Sequence, residues 1–302
     1  MTELAAVGAV PGVPGCQLPR RTLQAPVRCG PVPELPEVET IRAQLDRRLA
    51  GRSITDAGSH PSEKFLPAMD AVGGQISAVG RRGKYLIVAF DDGSETGCEL
   101  VIHLGMTGRL SISPDTDRDH PHLRAWWRLD GDELLTFHDI RRFGRVHVVE
   151  AGRYEAIATL DRLGPEPFSD QFTGDGLWRA LSASRRRVKT QLLSQRPVAG
   201  VGNIYADEAL WLAQINPAVR YVSKPRAGRL ADAIRTALTS GLRHGGTTLR
   251  DYATLDGSSG RNQHHLRCYG RAGEPCERCG TALRRRIIDA RGTTWCPTCQ
   301  RR

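Results

Sequence analysis

The sequence predicts an α+β protein with several domains: a leading helix, an antiparallel β-sandwich, a helical domain and a small metal-binding module. Three observations predict this class. Apolar residues recur at helical spacing soon after residue 33, short alternating runs follow between Gly and Asp residues, and two Cys-x-x-Cys pairs lie near the end of the chain. With 302 residues, the chain is long enough for two domains and a module.

The leading helix is predicted by Val38, Ile41, Leu45 and Leu49, which fall on one helical face, and Gly51 marks its end. Short apolar or alternating runs separated by Gly and Asp follow, and this spacing is typical of a β-sandwich of antiparallel sheets. The predicted strands cover residues 76–79, 85–90, 100–104, 124–129, 134–137 and 146–149. From about residue 154 to residue 244 the pattern becomes helical.

The charge balance predicts an anionic partner. The chain has 43 Lys and Arg against 33 Asp and Glu, a net charge of +10. Nucleic acid is the commonest partner of so basic a chain, and a basic surface without a partner is the alternative. No run of about 18 apolar residues occurs, so no membrane span is expected.

Residues 1–32 are predicted to form a disordered extension, because they hold five prolines among small residues and show no clear hydrophobic period. A secretory signal does not fit, since the one apolar stretch has no basic flank and is broken by proline. We interpret this segment as lying upstream of the true translation start, with Val32 encoded by GTG and removed as the initiator. Pro33 would then be the first residue of the working protein.

The run Pro33-Glu34-Leu35-Pro36-Glu37 predicts an enzyme that attacks with a terminal amine. Inside a peptide bond, the lone pair of a proline nitrogen is delocalised into the carbonyl and cannot attack. At a chain start the same nitrogen is a secondary amine. An α-amino group has a pKa of about 7.7 to 8.0, so a usable fraction is unprotonated near neutral pH.

Four cysteines predict a zinc site. Cys276 and Cys279 are followed, after sixteen residues, by Cys296 and Cys299, a spacing that lets two turns present four thiolates to a tetrahedral Zn²⁺. Two disulfides are the alternative, which the spacing and the poor fit to a secretory signal disfavour. Since all four ligands are protein sulfurs, we expect one structural ion that shapes a DNA-binding hairpin.

A glycine-rich turn at residues 200–203 leads into a further helical run. Glycine permits close backbone approach, and the free N–H groups of a helix start favour a phosphate. The alternative is an ordinary helix start capped by the Asn203 side chain.

Five motifs besides the cysteine module occur in a specific order. They are PELPEVET at 33–40, RGKYL at 82–86, HLGMTG at 103–108, RRFG at 141–144 and GVGNIYADE at 200–208. On these residues the chain resembles the formamidopyrimidine-DNA glycosylases, bacterial enzymes of base-excision repair. The resemblance runs from Pro33 to Gln300.

The resemblance implies a catalytic β-sandwich at 33–150, a helix-two-turn-helix DNA-binding domain at 151–263 and a zinc-finger β-hairpin at 264–302. Damaged double-stranded DNA would lie in the cleft between the lobes. The expected activity is removal of 8-oxoguanine and formamidopyrimidines, followed by cleavage of the abasic site by β,δ-elimination. The resemblance also implies a monomer located in the cytoplasm.

The resemblance implies three catalytic residues. Pro33 would attack C1′ of the damaged nucleotide and form a Schiff base with the opened sugar. Glu34 would protonate the sugar ring oxygen or move protons as the base leaves. Lys84 would hold a phosphate near the lesion, against the alternative of a solvated surface lysine. Glu37 is expected to support the helix start and the geometry of the site.

Further residues are assigned to DNA by the same resemblance. Met106 would fill the stack vacated by the extruded base, Phe143 would wedge beside the opposite base, and Arg141 would hydrogen-bond that base. The positions that match phosphate-facing residues of the family are Arg142, Lys189, Asn203 and Arg291. Thr247, Thr248 and Tyr252 are candidate contacts of the loop that covers the flipped base.

The chain departs from the family pattern at three places. Ile140 stands where Pro is usual, Ser194 replaces a common Asp, and Arg261-Asn262 stands where Tyr-Phe is common. Two other functions stay open. One is an oxidised-pyrimidine glycosylase of the endonuclease VIII type, which Leu35 and the RRFG run disfavour. The other is a DNA-binding protein without Schiff-base chemistry, if Pro33 stays internal.

Overall fold

The computed structural model describes residues 32–91, 93, 97–114, 118 and 120–301. The predicted disorder of the N-terminal extension falls on residues that, except for Val32, lie outside this range. The helices are α1 (Leu35–Leu49), α2 (Ala158–Asp161), α3 (Gly174–Ser182), α4 (Val188–Leu193), α5 (Asn203–Leu212) and α6 (Lys224–Arg243). The strands are β1 (Ile54–Ser59), β2 (Gln75–Arg82), β3 (Tyr85–Asp91), β4 (Cys98–His103), β5 (Gly108–Pro114), β6 (Leu123–Leu129), β7 (Glu133–Asp139), β8 (Arg145–Glu150), β9 (Arg284–Ile288) and β10 (Arg291–Trp295). Short 3₁₀ turns cover Leu66–Ala71 and Asn262–His265.

The N-terminal lobe is a sandwich of two four-stranded antiparallel sheets. Their strand orders are β1-β6-β7-β5 and β2-β3-β4-β8. Alternate residues of both sheets point into one core, where Trp127 and Phe137 are fully buried. The apolar face of α1 covers part of this core, as its helical spacing requires. The predicted sandwich with a leading helix is therefore confirmed.

All six predicted strands are present, and the prediction missed two. In β1 only Ile54 is buried, and in β5 only Leu110 is buried. Each strand lies at an edge of its sheet, so it receives a partner on one side and needs little apolar sequence. The hydrophobic pattern that marks a strand is therefore weak in both.

The helical lobe has its own core, built mainly by α3, α5 and α6. Leu35, at the start of α1, is part of this core, whereas Val38, one turn later, is part of the sandwich core. The first turn of α1 thus lies where the two lobes meet. Among the described residues, no helix combines the length and the apolar character needed to cross a membrane.

The C-terminal module is a two-stranded antiparallel hairpin of β9 and β10. Asp289 and Ala290, between the strands, both have positive φ, as a two-residue hairpin turn requires. The module is attached to the helical lobe through Glu208 of α5. Its buried carboxylate accepts hydrogen bonds from three consecutive amides, those of Arg267 at 3.0 Å, Cys268 at 2.8 Å and Tyr269 at 2.7 Å.

Replacing Glu208 with Ala should loosen the module. The substitution leaves three backbone donors without their acceptor, and the buried one, the Cys268 amide, alone costs about 1–3 kcal/mol when unsatisfied. Zinc release to a chromogenic chelator should become on the order of tenfold faster or more. Glu274→Ala, a half-exposed carboxylate of the same module, is the matched control. Equal release rates for the two variants would show that Glu208 does not hold the module.

Candidate active site and nucleic-acid interface

Pro33 and Glu34 lie buried between the two lobes. The Glu34 carboxylate accepts hydrogen bonds from three backbone amides at the start of α5, those of Gly202 at 2.6 Å, Ile204 at 2.8 Å and Tyr205 at 3.3 Å. A side chain on Gly202 would place its Cβ 2.4 Å from Glu34 Cδ and 2.5 Å from Lys84 Nζ. Glycine at this position is therefore required for the carboxylate and the ammonium to approach the helix start.

This arrangement corrects the prediction for the glycine-rich turn. Its amides were expected to bind a phosphate, but they hold the Glu34 carboxylate instead. Both the predicted phosphate and the observed carboxylate are anions, which the N-terminus of a helix favours. The alternative was also wrong, since Gly202 occupies the capping position and Asn203 makes no side-chain cap. Asn203 Nδ2 instead donates to the Gly292 carbonyl of the hairpin at 3.2 Å.

Lys84 is buried, with 8% of its surface exposed, which excludes the solvated surface lysine. Burial lowers the pKa of its ammonium, and the nearby carboxylates of Glu34 and Glu37 oppose that effect. Burial likewise raises the pKa of Glu34, against Lys84 and the three amides. The two side chains thus compensate each other's charge in a desolvated site.

Sequence reasoning missed His103, which lies at the end of β4. Its Nδ1 accepts a hydrogen bond from the Gly105 amide at 3.2 Å, and its ring packs on Tyr85 with centroids 4.7 Å apart. Burial first, and then the positive charge of Lys84, lower its pKa to about 4. The imidazole is therefore neutral at neutral pH. The only signal in the sequence was its place in the HLGMTG run.

Glu37 supports the site in the way the sequence predicted. Its Oε2 accepts from the Glu34 amide at 2.9 Å, and its Oε1 accepts from the Tyr205 hydroxyl and the Thr247 amide, both at 2.7 Å. Burial, with the Glu34 charge as the second cause, raises the pKa of Glu37 to about 7. Thr247, a candidate contact of the covering loop, is thereby tied to the first turn of α1.

Met106, Arg141 and Phe143 come together on two touching turns. Gly105, with φ of +65°, approaches the Gly144 amide so closely that a Cβ would lie 2.6 Å away. Arg141 Nη1 lies 3.9 Å from Met106 Sδ, and its guanidinium lies 5.8 Å from the Phe143 ring centre. Phe143 is 50% exposed. Two apolar side chains suited to entering a base stack thus lie next to an arginine suited to hydrogen-bonding a base.

The Asp139 carboxylate holds the turn that carries Arg141. One carboxylate oxygen accepts from the Arg141 amide at 3.2 Å, and the other accepts from the Gly144 amide at 2.7 Å. Arg142, between them, is exposed and has a positive φ of 55°. The chain thus adopts a left-handed conformation between Arg141 and Phe143, which is strained for a residue other than glycine.

Lys189 does not fit the prediction that it faces a phosphate. Its side chain is fully buried, and its Nζ lies 2.7 Å from Asp207 Oδ1. The ammonium also donates to the Gly292 carbonyl at 3.1 Å and to Thr293 Oγ1 at 2.9 Å. We therefore assign Lys189 to holding the hairpin against the helical lobe. The local sequence gives no sign of this partner, which lies more than 100 residues further along the chain.

Arg291 is exposed at the start of β10. Its charge is one of the causes that lower the pKa of Lys84, so the hairpin brings it into the electrostatic range of the active site. Ile287, on the neighbouring strand, is 72% exposed. The hairpin thus presents a cation and an apolar side chain on its outer part.

The four predicted zinc ligands converge. The sulfur atoms of Cys276, Cys279, Cys296 and Cys299 all lie within 4.8 Å of one another. Tetrahedral bonds of about 2.3 Å to zinc place sulfurs about 3.8 Å apart, so the cluster fits one ion. The four are free thiols, which excludes the disulfide alternative. Cys268, the other buried thiol of the module, donates to the Thr294 carbonyl at 3.1 Å and stays outside the cluster.

A β-sandwich and a helical lobe that enclose a Pro-Glu pair, with a zinc hairpin beside them, define a two-lobed DNA glycosylase. Three family models match the chain in order. They are the formamidopyrimidine-DNA glycosylase N-terminal domain at residues 32–146, the formamidopyrimidine-DNA glycosylase H2TH domain at 163–253, and the zinc finger found in FPG and IleRS at 273–302. The helix-two-turn-helix domain expected from the resemblance is thus matched.

Curated relatives agree with the models. The formamidopyrimidine-DNA glycosylase of Deinococcus radiodurans is 42% identical over 278 residues, which cover 89% of this chain and 97% of the relative. The MutM (Fpg) protein of Thermus thermophilus, known from a crystal structure, is 44% identical in sequence to this chain. The two structures match with a TM-score of 0.81 over 89% of this chain and 98% of the other. A Lactococcus lactis Fpg complex with DNA containing an abasic site is 33% identical, with a TM-score of 0.81 over 89% and 100%. The chain belongs to the formamidopyrimidine-DNA glycosylase family.

Replacing Lys189 with Ala should destabilise the fold, because it leaves the Asp207 carboxylate buried without its partner. Breaking a buried ion pair in this way costs about 3–5 kcal/mol. Urea unfolding followed by circular dichroism measures the loss. The double variant Lys189→Met, Asp207→Leu removes both charges and should recover part of it. A single variant as stable as the parent would disprove the structural assignment of Lys189.

Proposed function

We propose that this chain removes oxidised purines from duplex DNA and then cuts the strand at the abasic site. The activity is that of a bifunctional base-excision repair enzyme, a DNA glycosylase with abasic-site lyase activity. The observation that carries the proposal is the position of Pro33, directly before a glutamate that the start of α5 holds in a desolvated site beside Lys84.

The reaction begins with the Pro33 nitrogen. As a free secondary amine it attacks C1′ with its lone pair, the glycosidic bond breaks, and the base leaves with the bonding electrons and takes up the proton that the amine loses. Ring opening at C1′ then gives the iminium of a Schiff base. We assign protonation of the sugar ring oxygen to Glu34, the carboxyl group next to the nucleophile, whose pKa is raised by burial. Two eliminations then release the phosphates on the 3′ and 5′ sides.

The two touching turns provide the contacts that base extrusion needs. Removing a base from the stack costs a few kcal/mol of stacking and pairing. We assign Met106 and Phe143, which are apolar, to filling the gap, and the guanidinium of Arg141 to hydrogen-bonding the unpaired partner base. Arg142 and Arg291 are exposed and are assigned to phosphates. For Asn203 a phosphate contact stays a prediction, as do the monomeric state and the cytoplasmic location.

The chemistry requires Pro33 to carry a free nitrogen, and this can be tested directly. A chain that begins at Pro33 should give a covalent adduct with a duplex containing 8-oxoguanine opposite cytosine when borohydride reduces the Schiff base. The chain that retains residues 1–32 is the matched control and should give none. Denaturing electrophoresis and intact mass measure the adduct. An adduct whose mass includes residues 1–32 would contradict attack by the Pro33 amine.

The same assay separates the open alternatives. Preference for a duplex with an oxidised pyrimidine over 8-oxoguanine would favour the endonuclease VIII type of specificity. Duplex binding without any adduct from either chain would indicate a non-catalytic DNA-binding protein.

Arg141→Ala should weaken discrimination among the bases opposite the lesion. A bidentate contact to a base contributes about 1–3 kcal/mol of discrimination, and the variant should lose most of it. Single-turnover excision rates with each of the four opposing bases measure the effect. Arg142→Ala is the control, since loss of a phosphate contact should weaken binding for all four duplexes alike and reduce its salt dependence. If Arg141→Ala still discriminates among the four bases, a residue other than Arg141 recognises the base opposite the lesion.

A further inference from the structure

Asn262 is a buried polar side chain at the point where the loop 247–261 closes. Only 2% of its surface is exposed. Its Nδ2 donates to Thr247 Oγ1 at 2.9 Å, and its Oδ1 accepts from the Ser240 hydroxyl at 2.8 Å. Both ends of the amide are thus satisfied. The Asn262 amide nitrogen also donates to the Gly246 carbonyl at 3.0 Å, which joins the two ends of the loop.

A row of hydroxyls leads from Asn262 to Glu37. Thr247 Oγ1 accepts from Asn262, so its own hydrogen is directed to the Tyr205 hydroxyl, 3.1 Å away. The Tyr205 hydroxyl in turn donates to Glu37 Oε1 at 2.7 Å. Each member donates to the next, and such a chain of donors polarises its members toward the final acceptor. The final acceptor is a carboxylate, which an aligned donor stabilises in its ionised form.

The charge of Glu37 is sensitive to such a donor because some of the groups around it raise its pKa and others lower it. Glu34 on the same helix opposes its charge, as does burial, whereas the Thr247 amide and the Tyr205 hydroxyl favour it. Lys84 and Tyr252 face it from the β2–β3 turn and the loop. Burial lowers the pKa of Lys84, an effect that the Glu37 charge opposes, and burial raises the pKa of Tyr252, an effect to which the Glu37 charge adds. The pKa of Glu37, raised to about 7, lies near neutral pH, where a change in hydrogen bonding alters the share of the ionised form.

We propose that Asn262 is a positioning residue for base excision: it anchors the Thr247 and Tyr205 hydroxyls, which keep Glu37 ionised. Ionised Glu37 is the stronger acceptor for the Glu34 amide, and this bond fixes the backbone next to the reacting nitrogen of Pro33. The inference rests on the proposed function, since Pro33 and Glu34 are the groups that it positions.

The test is Asn262→Leu, which keeps the size of the side chain and removes its donor and acceptor. The Glu37 carboxyl signal is followed by ¹³C NMR across pH in the full chain and assigned with Glu37→Gln. Its midpoint should rise by a few tenths of a unit, because the Tyr205 bond to Glu37 remains and loses only the strengthening of roughly 10–30% that the row gives it. The acidic limb of the pH profile for 8-oxoguanine excision should move to higher pH, because Glu37 becomes protonated earlier. Excision is measured with the form of the chain that gives the borohydride adduct.

Gln263→Leu is the matched control. Gln263 accepts from the Thr248 amide at 3.1 Å and donates to the Gly260 carbonyl at 2.8 Å, so it closes the same loop without contacting the row. This variant should leave the Glu37 midpoint in place. If Asn262→Leu does not fold, Thr247→Val interrupts the same row and should give the same upward shift.

An unchanged Glu37 midpoint in the folded variant overturns the inference and leaves the proposed function standing. An equal shift in Gln263→Leu also overturns it, because loop closure alone would then explain the change. If the parent chain excises nothing, the proposed function fails together with any role of Asn262 in excision. The NMR midpoint then still shows whether the row sets the charge of Glu37.

Discussion

The burial of Glu34 against the start of α5 is the interaction on which the site depends. A carboxylate removed from water is costly unless hydrogen bonds and an opposite charge compensate it. Three α5 amides and Lys84 provide that compensation, but the amides belong to the helical lobe and Lys84 to the sandwich. The carboxylate is therefore stable only when the two lobes are docked. Since Pro33 precedes Glu34 directly, docking also fixes the position of the nucleophile.

The site contains a second buried carboxyl group, that of Glu37, whose charge state changes near neutral pH. Glu37 lies close enough to Glu34 for the two charges to repel, and burial adds to the effect, so the pKa of Glu37 is raised to about 7. Two interacting acids titrate as a pair, and near neutral pH such a pair holds a proton part of the time. Because ionised Glu37 is the stronger acceptor for the Glu34 amide, the proton on this pair also affects how firmly the backbone beside the nucleophile is held.

The parts of this structure that could be predicted from the sequence are those with a local signature. Apolar spacing gave α1 and six strands, and cysteine spacing gave the zinc ligands. The edge strands β1 and β5 were missed because few of their residues are buried. The glycine turn was correctly predicted to bind an anion, but the anion is the Glu34 carboxylate and not a phosphate. Glu34 lies about 170 residues earlier in the chain. Lys189 was misassigned for the same reason, because a local pattern does not show that Asp207 and the hairpin enclose it.

Helix α5 connects these distant contacts into one mechanical unit. Its first amides hold Glu34, while Asp207 and Glu208, one turn later, hold the hairpin and the zinc module. The Asp207 carboxylate accepts from the Thr294 amide of β10 at 2.8 Å and pairs with Lys189, which bonds to the adjacent residues of that strand. Arg291 is in the same strand, so the helix that positions this cation also holds, with its first amides, the carboxylate beside the nucleophile. Cys296 directly follows β10, so a zinc ion held by the four thiolates would stabilise the hairpin that α5 aligns with the active site.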